Sequence, residues 1–291
     1  MANVYEIVTE KVVTALENGT VPWRKPWASS LNGPRNYISG KPYRGVNVFL
    51  LLVSAADGGY TSPYWLTRKQ INERGGKIVK GEKSTLIVFF KTSRVEDKQT
   101  GETKTIPLLR YYLVWNLEQT EGVAPIAGRE PTEQAPEFAP LEAAEKIMAG
   151  YPDAPSIRYA GDQAYYDPTA DAITLPPRDA FTTPEEFYST AFHEMTHSTG
   201  HADRCARPNW ATSPFGSHDY GREELVAEMG SAFLAAEAGI LVDTIDNSAA
   251  YLRSWVKTIQ ADPRAVVVAA GKAQAAADHI LGRPAPVYDA E

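Results

Sequence analysis

The sequence predicts an α+β protein of two domains, and three observations carry that reading. The chain has 291 residues, about twice a domain of roughly 150. Residues 122–140 read GVAPIAGREPTEQAPEFAP. Proline removes backbone donors and favours extended chain, so this stretch is a linker rather than core. The charge also changes sign there. Residues 1–130 carry 18 Lys and Arg against 12 Asp and Glu, whereas the remainder carries 11 against 24. The divisions follow as 1–121, a linker over 122–140, and 141–291.

The first domain opens with an amphipathic helix. Val4, Ile7, Val8, Val12, Ala15 and Leu16 recur at helical spacing, and Asn18-Gly19 stops them. The following VPWRKPWASSLNGPRNYISGKPYRGVN has no helical or strand period and reads as a long ordered loop. Residues 46–56 are almost wholly apolar, which leaves helix and strand indistinguishable by period. Thr67 and Gln70 make a capping box for a short helix ended by Gly75-Gly76. Residues 86–95 and 106–116 are rich in β-branched and aromatic types around a polar EDKQTGETK segment, the pattern of a β-hairpin.

The second domain begins with a helix over 141–149. Short strands follow at 156–159, 164–167 and 172–175, and Pro176-Pro177 ends the last. Thr183-Pro184-Glu185-Glu186 combines an N-cap, proline at the first helical position and a capping-box glutamate. That helix is expected to reach about Thr199, with Gly200 as the residue just past its cap. A second long helix covers 222–238, and Ala-rich helices finish the chain.

Composition excludes several classes. The apolar run at 46–56 is too short for a bilayer, which needs about 20 residues, and Glu6, Glu10 and Lys11 break up any secretory leader. Cys205 is the only cysteine, so no internal disulfide and no cysteine-ligated zinc finger is possible. A cytoplasmic protein with no membrane partner is the expectation.

The chemistry concentrates in His193-Glu194-Met195-Thr196-His197, an HExxH motif inside the helix that starts at Thr183. At about 100° per residue the two imidazoles project about 40° apart, close enough to share an ion. Phe187, Tyr188, Ala191, Phe192 and Met195 fall on the opposite stripe and face the core. Glu194 stands beside the histidines as the catalytic base: an ion there would acidify a water, whose proton Glu194 accepts and passes to the leaving amine of a peptide. Two histidines need a third protein ligand. In EELVAE, Glu224 and Glu228 share a helix face; Glu224 is the expected ligand and Glu228 the carboxylate that hydrogen-bonds a ligand histidine, the reverse being the alternative. A rival comes from HExxHxxGxxD, in which Gly200 turns the chain and Asp203 closes the site. Zinc is the expected ion, with manganese or another divalent ion able to use the same ligands.

The N-terminal half interleaves aromatic residues with cations. Trp23-Arg24-Lys25-Pro26-Trp27 sets two indoles around a basic pair. Tyr37, Lys41, Tyr43 and Arg44 continue the pattern, and Trp65 precedes Arg68 and Lys69. Aromatic faces for unpaired bases and cations for phosphates are what single-strand binding requires. No helix is basic enough to suggest a duplex reader. Taken singly, each of these aromatics reads more readily as core, and only the WRKPW loop reads equally well either way.

VPWRKPW, SGKPYRGVN, YWLTRKQ, GGKIVKGEK and YYLVWNLEQTEG resemble the N-terminal domain of ArdC-type antirestriction proteins. ADAITLPPRDAF, FYSTAFHEMTHSTGHADR and EELVAEMGSAFLAAEAGI resemble the zincin-like metallopeptidase domain of the same family, in gluzincin arrangement. The resemblance implies a plasmid-borne protein tied to conjugation, which binds single-stranded DNA and shields incoming DNA from host restriction. It also favours Glu224 or Glu228 over Asp203 as the third ligand. A different class, a cytoplasmic metalloprotease cutting a host protein such as a restriction enzyme, stays open beside it, with the N-terminal domain then holding the substrate.

Overall fold

The computed structural model describes residues 3–19, 21–22, 33–96, 103–126, 140–208, 217–240 and 249–284. In the N-terminal half, α1 (Val4–Glu17) starts at a complete capping box between Asn3 and Glu6. It is followed by β1 (Arg35–Asn36), α2 (Val46–Gly58), β2 (Tyr64–Thr67), α3 (Arg68–Glu73) and β3 (Lys77–Ile78). The long strands β4 (Thr85–Glu96) and β5 (Thr103–Asn116) and the short β6 (Thr120–Glu121) complete it. One sheet has the order β1-β2-β5-β4, with β1 parallel to β2 and the other pairs antiparallel. β3 and β6 pair separately.

The apolar run at 46–56 is helical, bounded by Gly45 at φ 57° and by Gly59 at φ 68° in the left-handed region. Its lack of a period has a cause. Phe49 and Leu50 pack into one hydrophobic cluster with α1 and β4, while Leu51 packs into another with Trp65, Ile87 and Val114. A helix buried on two faces shows no polar stripe.

The C-terminal half contains α4 (Pro140–Gly150), β7 (Ser156–Tyr159), β8 (Tyr165–Asp167), β9 (Ala172–Leu175), α5 (Pro184–Ser198), α6 (His218–Ala238), α7 (Ala249–Ala261) and α8 (Ala265–Ile280). Its sheet has the order β7-β9-β8, parallel then antiparallel. Thr183 and Glu186 form the expected capping box of α5, with Pro184 in the first turn. Thr199 caps α5 at φ −63°, so Gly200 takes the expected place just past the helix, though without the left-handed conformation common there. Arg207 donates instead to the carbonyls of Thr196 and His197, so a side chain serves the orphan acceptors that a glycine turn would otherwise reorganise. α6 begins at His218 rather than 222, because Ser217 accepts from the Tyr220 N–H and caps it.

The proline-rich segment separates stretches of chain without separating two cores. Val8, Val12 and Leu16 of α1 share one cluster with Leu225 and Met229 of α6, Ile259 of α7 and Val266 and Ala270 of α8. The Thr9 hydroxyl donates to the Pro263 carbonyl at 2.7 Å. Arg44 pairs with the buried Asp278, and the Gly45 N–H donates to Gln274 at 3.1 Å. Residues 1–121 alone would therefore expose the apolar face of α1. Among the described residues, no helix is long and apolar enough to cross a membrane.

Candidate metal centre

α5 and α6 cross with His193, His197 and Glu224 facing one another. The apolar stripe of α5 is buried, with Phe187 2 % and Phe192 0 % exposed, which turns the imidazoles toward α6. The approach is close because position 230 is glycine. A Cβ there would lie 2.7 Å from Thr196 Oγ1 and nearer still to its Cγ2. Thr196 is fully buried and its hydroxyl donates to the Phe192 carbonyl at 2.7 Å, so it has no cheap way to move. Gly230→Ala is expected to cost about 1–3 kcal/mol of stability by overpacking, read from urea unfolding, and to weaken metal binding measured on the folded variant.

The donor geometry suits a small divalent ion. His193 Nε2 and His197 Nε2 are 3.1 Å apart. Glu224 Oε2 lies 3.5 Å from the first and Oε1 lies 3.5 Å from the second. Ligand bonds of about 2.0–2.2 Å in a tetrahedron give donor separations of about 3.3 Å. Among the described residues these three form the group able to hold a metal ion. Glu194 is buried next to them, 7 % exposed.

The electrostatics agree with a cation site. Burial pushes the His197 pKa down, yet hydrogen bonds to Glu223 and Glu224 outweigh it and raise the pKa to about 10. His193 is likewise raised, its burial being overcome by Glu224 and by the nearby Glu194 and Glu228. Burial pushes the Glu224 carboxyl up, but the two imidazoles pull it well below the usual carboxylate range. Positive charge on the imidazole side, from a proton or a metal ion, is favoured by the carboxylates around it.

Two residues of the centre escaped the sequence reading. Glu223 Oε1 lies 3.4 Å from His197 Nδ1. Arg207 grips Glu223 through both carboxylate oxygens, with Nε donating to Oε2 at 3.0 Å. A carboxylate on Nδ1 holds the ring so that Nε2 faces the centre. Glu228 is 3.8 Å from His193 Nδ1, beyond a direct hydrogen bond. The expectation named Glu228 for this ring-holding part, and Glu223 occupies it at His197. Its neighbour Glu224 drew attention through the i, i+4 pair with Glu228, whereas Glu223 depends on an arginine 16 residues earlier in a loop. No local spacing signals that.

Asp203 is corrected as a ligand. Its side chain is 84 % exposed and sits 3.5 Å from His201 Nδ1, because Cys205, Ala206 and Arg207 fold back on Thr199, His201 and Gly200 and carry the loop away from the imidazoles.

The nucleic-acid candidates divide. Trp23, Arg24, Lys25 and Trp27 lie outside the described residues. Trp65 and Tyr37 are corrected as stacking surfaces, being 1 % and 3 % exposed. Trp65 packs with Leu51 and Val114, and the Tyr37 hydroxyl accepts from the Ile126 N–H at 3.0 Å. Tyr43 is partly buried against the Trp65 cluster. Lys41, Arg44, Arg68 and Lys69 are exposed. Arg44 is paired with Asp278, Lys69 with Glu73, and Arg68 lies over the Trp115 ring.

Known proteins corroborate both halves. Residues 2–115 match the family described as the N-terminal domain of anti-restriction factor ArdC, and residues 142–272 match a zincin-like metallopeptidase family. Two DNA primases TraC of Escherichia coli are 36 % and 35 % identical over 95 % of this chain, which spans only 27 % and 20 % of their lengths. Protein y4eC of Sinorhizobium fredii is 34 % identical over 95 % of this chain and 91 % of its own length. The metal-free crystal structure of the antirestriction ArdC protein from plasmid R388 superposes with a TM-score of 0.76 at 39 % identity, covering 96 % of this chain and 97 % of that one. Its Mn(II)-bound structure gives 0.75 at 37 %, covering 97 % and 98 %. An ArdC-type N-terminal domain and a zincin-like domain, in one chain and over nearly its full length, place this protein in the ArdC family of antirestriction proteins.

Proposed function

We propose that this chain binds single-stranded DNA through its basic, aromatic N-terminal half, protects incoming plasmid DNA from host restriction endonucleases in the recipient cytoplasm, and holds a divalent ion on His193, His197 and Glu224. The observation that carries the proposal is the full-length match to the R388 antirestriction protein at 39 % identity. The charge split and the exposed cations of the N-terminal half support the DNA partner. Zinc suits the two-imidazole, one-carboxylate donor set. Manganese, present in one structure of the R388 protein, is the alternative ion.

The test is transfer of unmodified and modified plasmid into a restricting host that expresses the protein. Unmodified plasmid is expected to be recovered at a level close to the modified control, and unchanged restriction would overturn the proposal.

The site geometry favours a second activity, peptide-bond hydrolysis. An ion held there supplies Lewis acidity and a more acidic water. Glu223 fixes the His197 ring with Nε2 inward, Arg207 holds Glu223 in place, and the buried Glu194 accepts the proton of the attacking water and returns it to the leaving amine. The substrate class is then a protein of the host, the restriction enzyme among the candidates. Glu224→Gln is expected to abolish stoichiometric binding of the ion, while Glu223→Gln, which frees the His197 ring, weakens it by about 10–100-fold. Isothermal titration with Zn2+ and Mn2+ reads both, and equal losses would reassign the third ligand.

A further inference from the structure

Among the described residues, eight large apolar side chains are exposed, and four of them, Phe89, Tyr111, Tyr112 and Leu113, lie on β4 and β5. Neighbouring residues of a strand point to opposite faces. Val114 and Trp115 are both buried, so the root of the hairpin is covered on both faces. Tyr111 and Tyr112 are 52 % and 47 % exposed although their cross-strand partners Val88 and Ile87 are still buried, and Phe89, one residue beyond Val88, is 52 % exposed, so the cover over the hairpin ends at these rungs. Globular proteins seldom leave adjacent aromatics in water on a paired strand without a use for them.

The two faces are not alike. Register pairs Ile87 with Tyr112, Phe89 with Arg110, Lys91 with Leu108 and Val95 with Lys104. These positions share one face. It carries Phe89 and Tyr112, whose rings meet edge to face at 6.3 Å, together with the exposed Arg110 and the register positions of Lys91 and Lys104. No acidic residue of either strand falls on it. The opposite face carries the positions of Arg94 and of Glu96, the one acidic residue of the two strands. Aromatic planes with cations and without anions match unpaired bases on a phosphate backbone. Same-face rungs recur about every 6.8 Å, so Tyr112 stands one rung from the Phe89–Arg110 pair. A duplex hides its base faces and gains nothing from Phe89 or Tyr112.

We propose that the outer part of the β4–β5 hairpin is a platform for single-stranded nucleic acid, with bases stacked on Phe89 and Tyr112 and Arg110 on the backbone. It rests on the single-strand reading of the proposed function and names the site of that binding. It also moves the stacking surface away from Trp65 and Tyr37, which lie in the core.

Fluorescence anisotropy of the full chain with a labelled single-stranded oligonucleotide and the matching duplex, over a salt series, tests it. The wild type is expected to prefer the single strand. Phe89→Ala and Tyr112→Ala each weaken that binding about tenfold, and Arg110→Gln reduces the salt slope by about 0.7. Tyr111→Ala, on the other face, stays at wild-type affinity. All four sites are exposed, and unchanged melting temperatures confirm that each variant is folded. Photocrosslinking of an iodouridine oligonucleotide is expected to label Phe89 or Tyr112.

If the wild type binds the single strand and the three variants bind equally well, the platform is overturned and the DNA reading survives with its site elsewhere. If the wild type binds no single strand, the DNA reading fails and the platform fails with it. Equal binding of the duplex, with the same losses in the variants, overturns the single-strand occupant.

Discussion

Glu194→Gln is expected to lower peptide hydrolysis by about 10²–10⁴-fold and to leave the ion bound at wild-type stoichiometry. The physical basis is the separation of roles in the centre. The three donors that face one another belong to His193, His197 and Glu224, and Glu194 is buried beside them without being one of the three. Glutamine keeps the shape and loses the proton acceptor. Cleavage of a peptide library by the metal-loaded protein, followed by mass spectrometry, reads the first half of the expectation. Elemental analysis of the dialysed protein reads the second. Full activity in the variant, or a wild type that cleaves no peptide, removes the hydrolytic reading and leaves the ion a brace for α5 and α6. Protection of unmodified plasmid by the same variant then shows whether antirestriction needs the centre's chemistry.

Arg207→Ala is expected to destabilise the fold by about 3–5 kcal/mol, the usual cost of stranding a buried charge. Arg207 is 6 % exposed and is held by Glu223, the Thr199 hydroxyl and the carbonyls of Thr196 and His197. Its removal leaves Glu223 buried and uncaps the end of the helix that carries both histidines. Burial pushes the Glu223 carboxyl up, but His197 and Arg207 outweigh that and hold it below its ordinary 4.5. Its native pKa being lowered, the contribution is fully present above about pH 4.5 and fades as the pH falls below it. The gap between wild type and variant in urea unfolding is therefore expected to narrow in acid. The double variant Arg207→Met with Glu223→Gln recovers part of the loss, because no charge is left buried without a partner. A gap that is small at pH 7 would show that water solvates Glu223 in the variant.

The parts of this structure legible in the sequence are those written in local spacing. His193 and His197 share a face because they are four residues apart on a helix, and the Thr183 box marks where that helix begins. The β4–β5 hairpin announced itself through two β-rich runs around a polar turn. The apolar run at 46–56 did not, because burial on two faces erases the polar stripe that distinguishes helix from strand. Trp65 was misread for a related reason. A tryptophan beside Arg68 and Lys69 has the composition of a base-stacking site, but β2 sits inside the sheet between β1 and β5, where its ring can only point into a core.

By itself the sequence determined the α+β class, the pair of histidines with its neighbouring glutamate, the family, and the polarity of charge along the chain. Each of these rests on neighbours within one element or on composition. Tertiary structure alone decided that α1 belongs to the same core as α7 and α8, that Glu224 rather than Glu228 faces both imidazoles, and that Arg207 and Glu223 pack against His197. Those outcomes depend on which distant faces meet. Gly230 lets α6 approach α5 closely, the loop after Thr199 turns back to bury Arg207, and neither event leaves a periodic trace, because packing is set by shape at long range and not by the order of residues nearby.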